Sequence, residues 1–137
     1  MYAFNEWIRV DHVIVCLATE GQWEPGNYAR FLDTLGQPGI SAFLGCALGN
    51  FQPSSPQRKA CAEIFKSRAI SAIAITDSPL VRGVVTAVSW FGANVRAFAW
   101  RDMAKALERV NATEEQVSRI MSAIEALRNQ ERGRVAG

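Results

Sequence analysis

The chain has a single histidine, His12, and three cysteines, Cys16, Cys46 and Cys61, none close to another in sequence. Zinc sites draw several Cys or His ligands from short spacings, so this inventory assembles none of the usual local patterns. No metal and no other cofactor is expected. Three scattered cysteines in apolar segments read instead as buried, reduced thiols that behave as small hydrophobes. Acids and bases interleave to a net charge of only +2 over 137 residues. That leaves no basic face for a run of phosphates, and nucleic acid is not an expected partner. The longest apolar runs, Ile70 to Ile75 and Val84 to Val88, stop far short of the roughly 20 residues that cross a bilayer, so no membrane partner is expected either. The N-terminus lacks the basic and apolar stretches of a signal peptide, which makes the cytoplasm the expected location.

Two further absences narrow the chemistry. Neither G-x-G-x-x-G nor G-x-x-x-x-G-K-[ST] occurs, so no glycine-rich loop cradles a nucleotide phosphate. His12 stands at the start of an apolar run with no nucleophile beside it, and reads as a strand-edge histidine rather than a general base. The acids Glu114 and Glu115 fall in a helix first turn, where the field of the amide ends already accounts for them. No catalytic residue is therefore nominated.

What is present is the composition of a folded globule, 49% hydrophobic and 20% charged, at a length typical of one domain. Glu6 to Ala18 reads as two short strands around Val10-Asp11, the second rich in β-branched residues. After a polar loop, Tyr28, Phe31, Leu32 and Leu35 recur at helical spacing up to the stop at Gly36-Gln37-Pro38-Gly39. Ile40 to Leu48 is a small, apolar strand emptying into a loop, and Ser55-Pro56 starts a helix with Cys61, Ile64 and Phe65 on one face. Ala69 to Ile75 is the strongest strand signal and is expected at the centre of the sheet. Next comes a helix carrying Val81, Val84, Val88 and Phe91, then a strand over Val95 to Trp100, then a helix capped by Asp102. Thr113-Glu114-Glu115-Gln116 has the form of a capping box for a last helix, expected to fray beyond Arg128.

These elements describe a single-domain α/β protein with a mostly parallel sheet and flanking helices, in the order ββαβαβαβα plus an extra C-terminal helix. Residues 1–112 form the α/β domain. Residues 113–137 form an amphipathic helix and polar tail that belongs to the same domain or supplies a homodimer interface through Val117, Ile120, Met121 and Ile124. Ligands of open parallel sheets gather outside the carboxyl ends of the strands. Two strand-to-helix loops qualify, Gly49 to Arg58 and Thr76 to Arg82, and they offer Asn50, Asp77, Ser78 and Arg82 as candidates for ligand or partner binding. Of the four tryptophans, Trp90 and Trp100 are expected in the core, and Trp7 and Trp23 at the surface.

The strand-to-helix step at Ser54-Ser55-Pro56-Gln57-Arg58, within this order of elements, resembles the STAS-like fold of anti-sigma factor antagonists. The stretches Ile75-Thr76-Asp77-Ser78, Val81 to Phe91 and Val95-Arg96-Ala97-Phe98 are similar to those of small uncharacterised bacterial STAS-like proteins. The resemblance implies a non-enzymatic signalling or interaction module that docks a protein partner, a kinase or regulator. It also implies phosphorylation of a serine before the second helix, which nominates Ser54 and Ser55. Family members usually carry an Asp-Ser-Ser-Gly-like stretch there, whereas this chain has Pro53-Ser54-Ser55-Pro56. The alternatives are a small-ligand or nucleotide-binding protein using the strand-to-helix loops, and a structural homodimer.

Overall fold

The computed structural model describes residues 1–136, with side chains through Arg134. Strands β1 (Asn5–Val10) and β2 (Val13–Ala18) form an antiparallel hairpin whose turn holds Asp11 at φ 53°. There follow the two-residue strand β3 (Gly21–Gln22), helix α1 (Pro25–Leu35), strand β4 (Ala42–Ala47) and the two-residue strand β5 (Phe51–Gln52). Helix α2 (Ser55–Ser67), strand β6 (Ser71–Ile75), helix α3 (Pro79–Ser89) and strand β7 (Val95–Phe98) come next. A 3-10 turn at Trp100–Asp102 then leads into α4 (Met103–Glu108) and α5 (Glu114–Ala136). The main sheet runs β1-β2-β4-β6-β7, parallel except at β1, and β3 pairs with β5 in a separate ribbon. The chain is an α/β protein with a mixed five-stranded sheet.

After the hairpin, the strand order advances in one direction. Crossovers of a single hand along such an order put every connecting helix on the same side. The core clusters follow that rule. Phe31 and Leu35 of α1, Cys61 and Phe65 of α2 and Val88 of α3 pack with Ile14 and Ala72 on one face. The opposite face presents Val13, Val15, Leu17, Leu44, Ile73 and Ile75, and it is covered by α4 and α5 through Leu107, Ile120, Ile124 and Leu127. The last helix therefore packs on its own sheet, and Ile120 and Ile124 are buried within the chain at 0% and 4% exposure. Neither is available to a second copy. Val117 packs beside them, half-buried, while Met121 is exposed.

Several local expectations change for physical reasons. Ser54, not Ser55, is the N-cap of α2, accepting from the Gln57 amide while the Gln57 side chain accepts from the Ser54 amide. Strand β6 begins at Ser71 because Ala69, at φ 54°, closes α2 in the left-handed conformation that a glycine usually takes. It is the fourth of five strands; the centre belongs to β4. Asp102 precedes α4 but makes no side-chain cap bond. The box at Thr113 and Gln116 forms in both directions. Helix α5 continues to Ala136 rather than fraying after Arg128, and Arg134 lies 5.8 Å from the Phe4 ring, which ties the last turns to the body. Gly137 lies outside the described residues.

The tryptophans redistribute as well. Trp90 is 80% exposed, whereas Trp23 is buried at 7%, its ring 5.1 Å from Phe31 and 5.4 Å from Phe51. Trp7 and Trp100 are half-buried. Phe31 also meets Trp7 and Phe43, each at 5.3 Å, making an aromatic cluster beneath α1 in which each pair contributes about 0.5–1.5 kcal/mol beyond area burial.

Candidate functional site

The two loops singled out from the sequence meet at the carboxyl edge of the sheet. Ser78 Oγ donates to Asn50 Oδ1 at 2.6 Å and accepts from the Val81 amide at 3.3 Å, joining the end of β4 to the start of α3. Thr76, fully buried, accepts from the Ser78 amide, and Asp77 accepts from the Trp100 amide at 3.2 Å. The Trp100 indole N–H in turn reaches the Ala47 carbonyl at 3.0 Å. Arg82 makes only a long, weak contact of 3.5 Å to the Thr76 carbonyl. Asn50 Oδ1, Asp77 Oδ1 and the Ser78 hydroxyl thus stitch strand ends together, while among the described residues Asn50 Nδ2, Asp77 Oδ2 and most of the Arg82 donors make no hydrogen bond within the chain.

A different arrangement forms at the start of α2. Ser54 and Ser55 are exposed, and Arg58 folds back over them, donating to the Pro53 carbonyl at 2.8 Å and to Ser55 Oγ at 2.7 Å. Side chains on a helix lean toward its N-terminus, so a long residue at the fourth position is placed to do this. The Gln57 side chain also donates to the Trp23 carbonyl at 3.1 Å, fixing α2 against the β3–β5 ribbon. Beside these serines runs a groove of about 640 Å³, bordered by Tyr2, Gln22 and Gln52 on one side and by Leu80 and Val84 of α3 on the other. Leu80 is 49% exposed. Arg58 is not among the candidates the sequence nominates, although its spacing from Ser55 is a usable signal.

The remaining candidates have settled roles. His12 Nε2 lies 2.8 Å from the Val110 carbonyl, so that nitrogen carries the proton and the ring pins the first hairpin to the end of α4. Burial pushes the Cys46 and Cys61 thiols up to about 12 and raises the Cys16 thiol well above its ordinary value. All three cysteines are free and protonated at neutral pH, which suits packing and not nucleophilic attack. Among the described residues no group of three His, Cys, Asp or Glu side chains is placed to hold a metal, and no helix is long and apolar enough to cross a membrane. No protein-family model matches the chain, and no curated protein is significantly similar to it.

Proposed function

We propose that the chain is a non-enzymatic cytoplasmic signalling or interaction module with a STAS-like fold, which docks a protein partner at the edge formed by the starts of α2 and α3. Phosphorylation at Ser54 or Ser55 regulates that docking. The observation that carries the reading is the pair of exposed serine hydroxyls in the first turn of α2, with the Arg58 guanidinium already 2.7 Å from Ser55 Oγ. A phosphoryl group on either serine would meet the positive end of the helix and a fixed arginine, both of which favour a dianion. The groove next to it, with Leu80 exposed on its far wall, gives a partner an apolar anchor beside the switch.

The test is incubation of the purified protein with extract of its host and labelled ATP, followed by mass spectrometry of the peptide spanning residues 53–58 and affinity capture in parallel. Phosphate on Ser54 or Ser55, together with a captured protein that Leu80→Asp releases, is the expected result. Absence of phosphate there, with no partner sensitive to Leu80→Asp, removes the proposal. The alternative reading as a nucleotide or small-ligand protein working through Asn50, Asp77 and Ser78 is less favoured because the Ser78 hydroxyl and one oxygen each of Asn50 and Asp77 are already engaged within the chain.

A further inference from the structure

Between the sheet and helices α2 and α3 the chain leaves an apolar cavity of about 130 Å³. Its floor is a patch of the sheet with almost no side chains, made by Gly45 and Ala47 of β4 and Ala74 of β6. Its roof is the valine face of α3, with Val81, Val84 and Val88. One wall is the Phe43 ring, folded so closely over Gly45 that a Cβ there would come within 2.7 Å of it. Phe31 packs edge-on against that ring at 5.3 Å and Phe65 stacks on it at 5.6 Å, contacts that hold the wall in place.

The lining gives water little to bind. Asn5 Oδ1 accepts from the Cys16 thiol at 2.8 Å, and Arg58 is bonded to Pro53 and Ser55. An ordered water needs about two to four polar partners, and apolar cavities near 150 Å³ stay dry and take up benzene. Trp23, Pro53, Arg58 and Val84 line both this cavity and the open groove beside α2, so one layer of side chains stands between the cavity and solvent.

We infer that this cavity is a binding site for a small neutral hydrophobic ligand, a single hydrocarbon ring or a branched aliphatic group of about benzene size, admitted from the groove past Pro53, Arg58 and Val84. The inference uses no serine and stands whether or not Ser54 or Ser55 is phosphorylated.

Benzene itself is the probe. The full chain is titrated with benzene while valine methyl resonances are followed by NMR and the thermal midpoint is recorded. Binding shifts the methyls of Val81, Val84 and Val88, and at ten times the dissociation constant it lowers the unfolding equilibrium constant about 11-fold. Ala74→Leu, which fills the floor, abolishes both responses, and Ser54→Ala with Ser55→Ala preserves them. Val84→Phe at the mouth serves the same purpose should Ala74→Leu fail to fold. Methyl resonances and a midpoint indifferent to benzene in the wild-type chain overturn the inference. So does a response that persists after the cavity is filled.

Discussion

The two faces of the sheet are built from the same strands and solved differently. Toward α4 and α5 the strands present Val13, Val15, Leu17, Leu44, Ile73 and Ile75, and two short turns of helix plus one long helix cover them without a void being needed. Toward α2 and α3, strands β4 and β6 present Gly45, Ala47, Ala72 and Ala74, while Ile14 and Phe43 supply the bulk on the same face. A strand's alternation therefore sorts residues by size as well as by polarity, and the side given the small ones keeps room for something else.

The sharpest way to break this comparison is to put a charge into the filled face. Ile120→Asp buries a carboxylate where exposure is 0%, and is expected to cost more than about 4 kcal/mol and unfold the chain. A folded, monodisperse Ile120→Asp protein in light scattering and circular dichroism would mean that α5 does not cover the sheet. Next comes a pair of adjacent residues on β6. Ile73→Ala should cost about 2–5 kcal/mol in denaturant titrations, while Ala74→Leu, facing the cavity, should cost less than about 1.5 kcal/mol or stabilise. Equal penalties for the two would erase the distinction between the faces. Ser54→Ala removes the α2 cap on the cavity side and should cost about 1 kcal/mol by the same assay, with Ser54→Asp largely restoring it.

The smallest effect is electrostatic. Hydrogen bonds from Gln116 and Arg119 hold the Asp11 carboxyl below its ordinary value. Because the folded pKa is the lower one, the stabilisation is present above the unfolded value near 3.8 and is lost as pH falls through the folded value. Asp11→Asn should thus lower stability slightly at neutral pH and leave it unchanged at strongly acid pH, which flattens the acid limb of the profile. An unaltered acid limb would show that this contact does not stabilise α5 against the hairpin.

Much of the fold was legible because its signals are periodic. The alternation of strands and helices, the capping box at Thr113 and the stripe of α5 all follow from spacing, whereas the cap at Ser54 reads one residue late, at Ser55. The order of the strands is carried by crossover handedness, which a single element does not display. Trp90 lies two residues past Val88, about 200° around the helix, so a stricter reading of the wheel puts it in solvent, where it is. Trp23, expected at the surface, is buried, and the sequence carries no sign of it because the ribbon that buries it is two residues per strand and has no period. At the site, Ser54 and Ser55 were reached through the resemblance and their place before a helix, and Asn50 and Ser78 as loop residues, but the bond between Asn50 and Ser78 was not readable. The cavity was written in Ala72-Ile73-Ala74-Ile75, read as uniformly apolar when the informative quantity was the difference in size between alternate positions.

The position of α5 in the chain carries a consequence for synthesis. Asp11 in the first hairpin is bonded to Gln116 and Arg119, 105 and 108 residues later, and β1 and β2 are among the strands that α5 covers. A ribosome therefore releases the hairpin long before its cover exists, and the hydrophobic side of β2 waits in solution or against a chaperone until the last helix emerges. Completion of this fold is a late, long-loop closure, and the rate of that closure sets how long the nascent chain is exposed to aggregation.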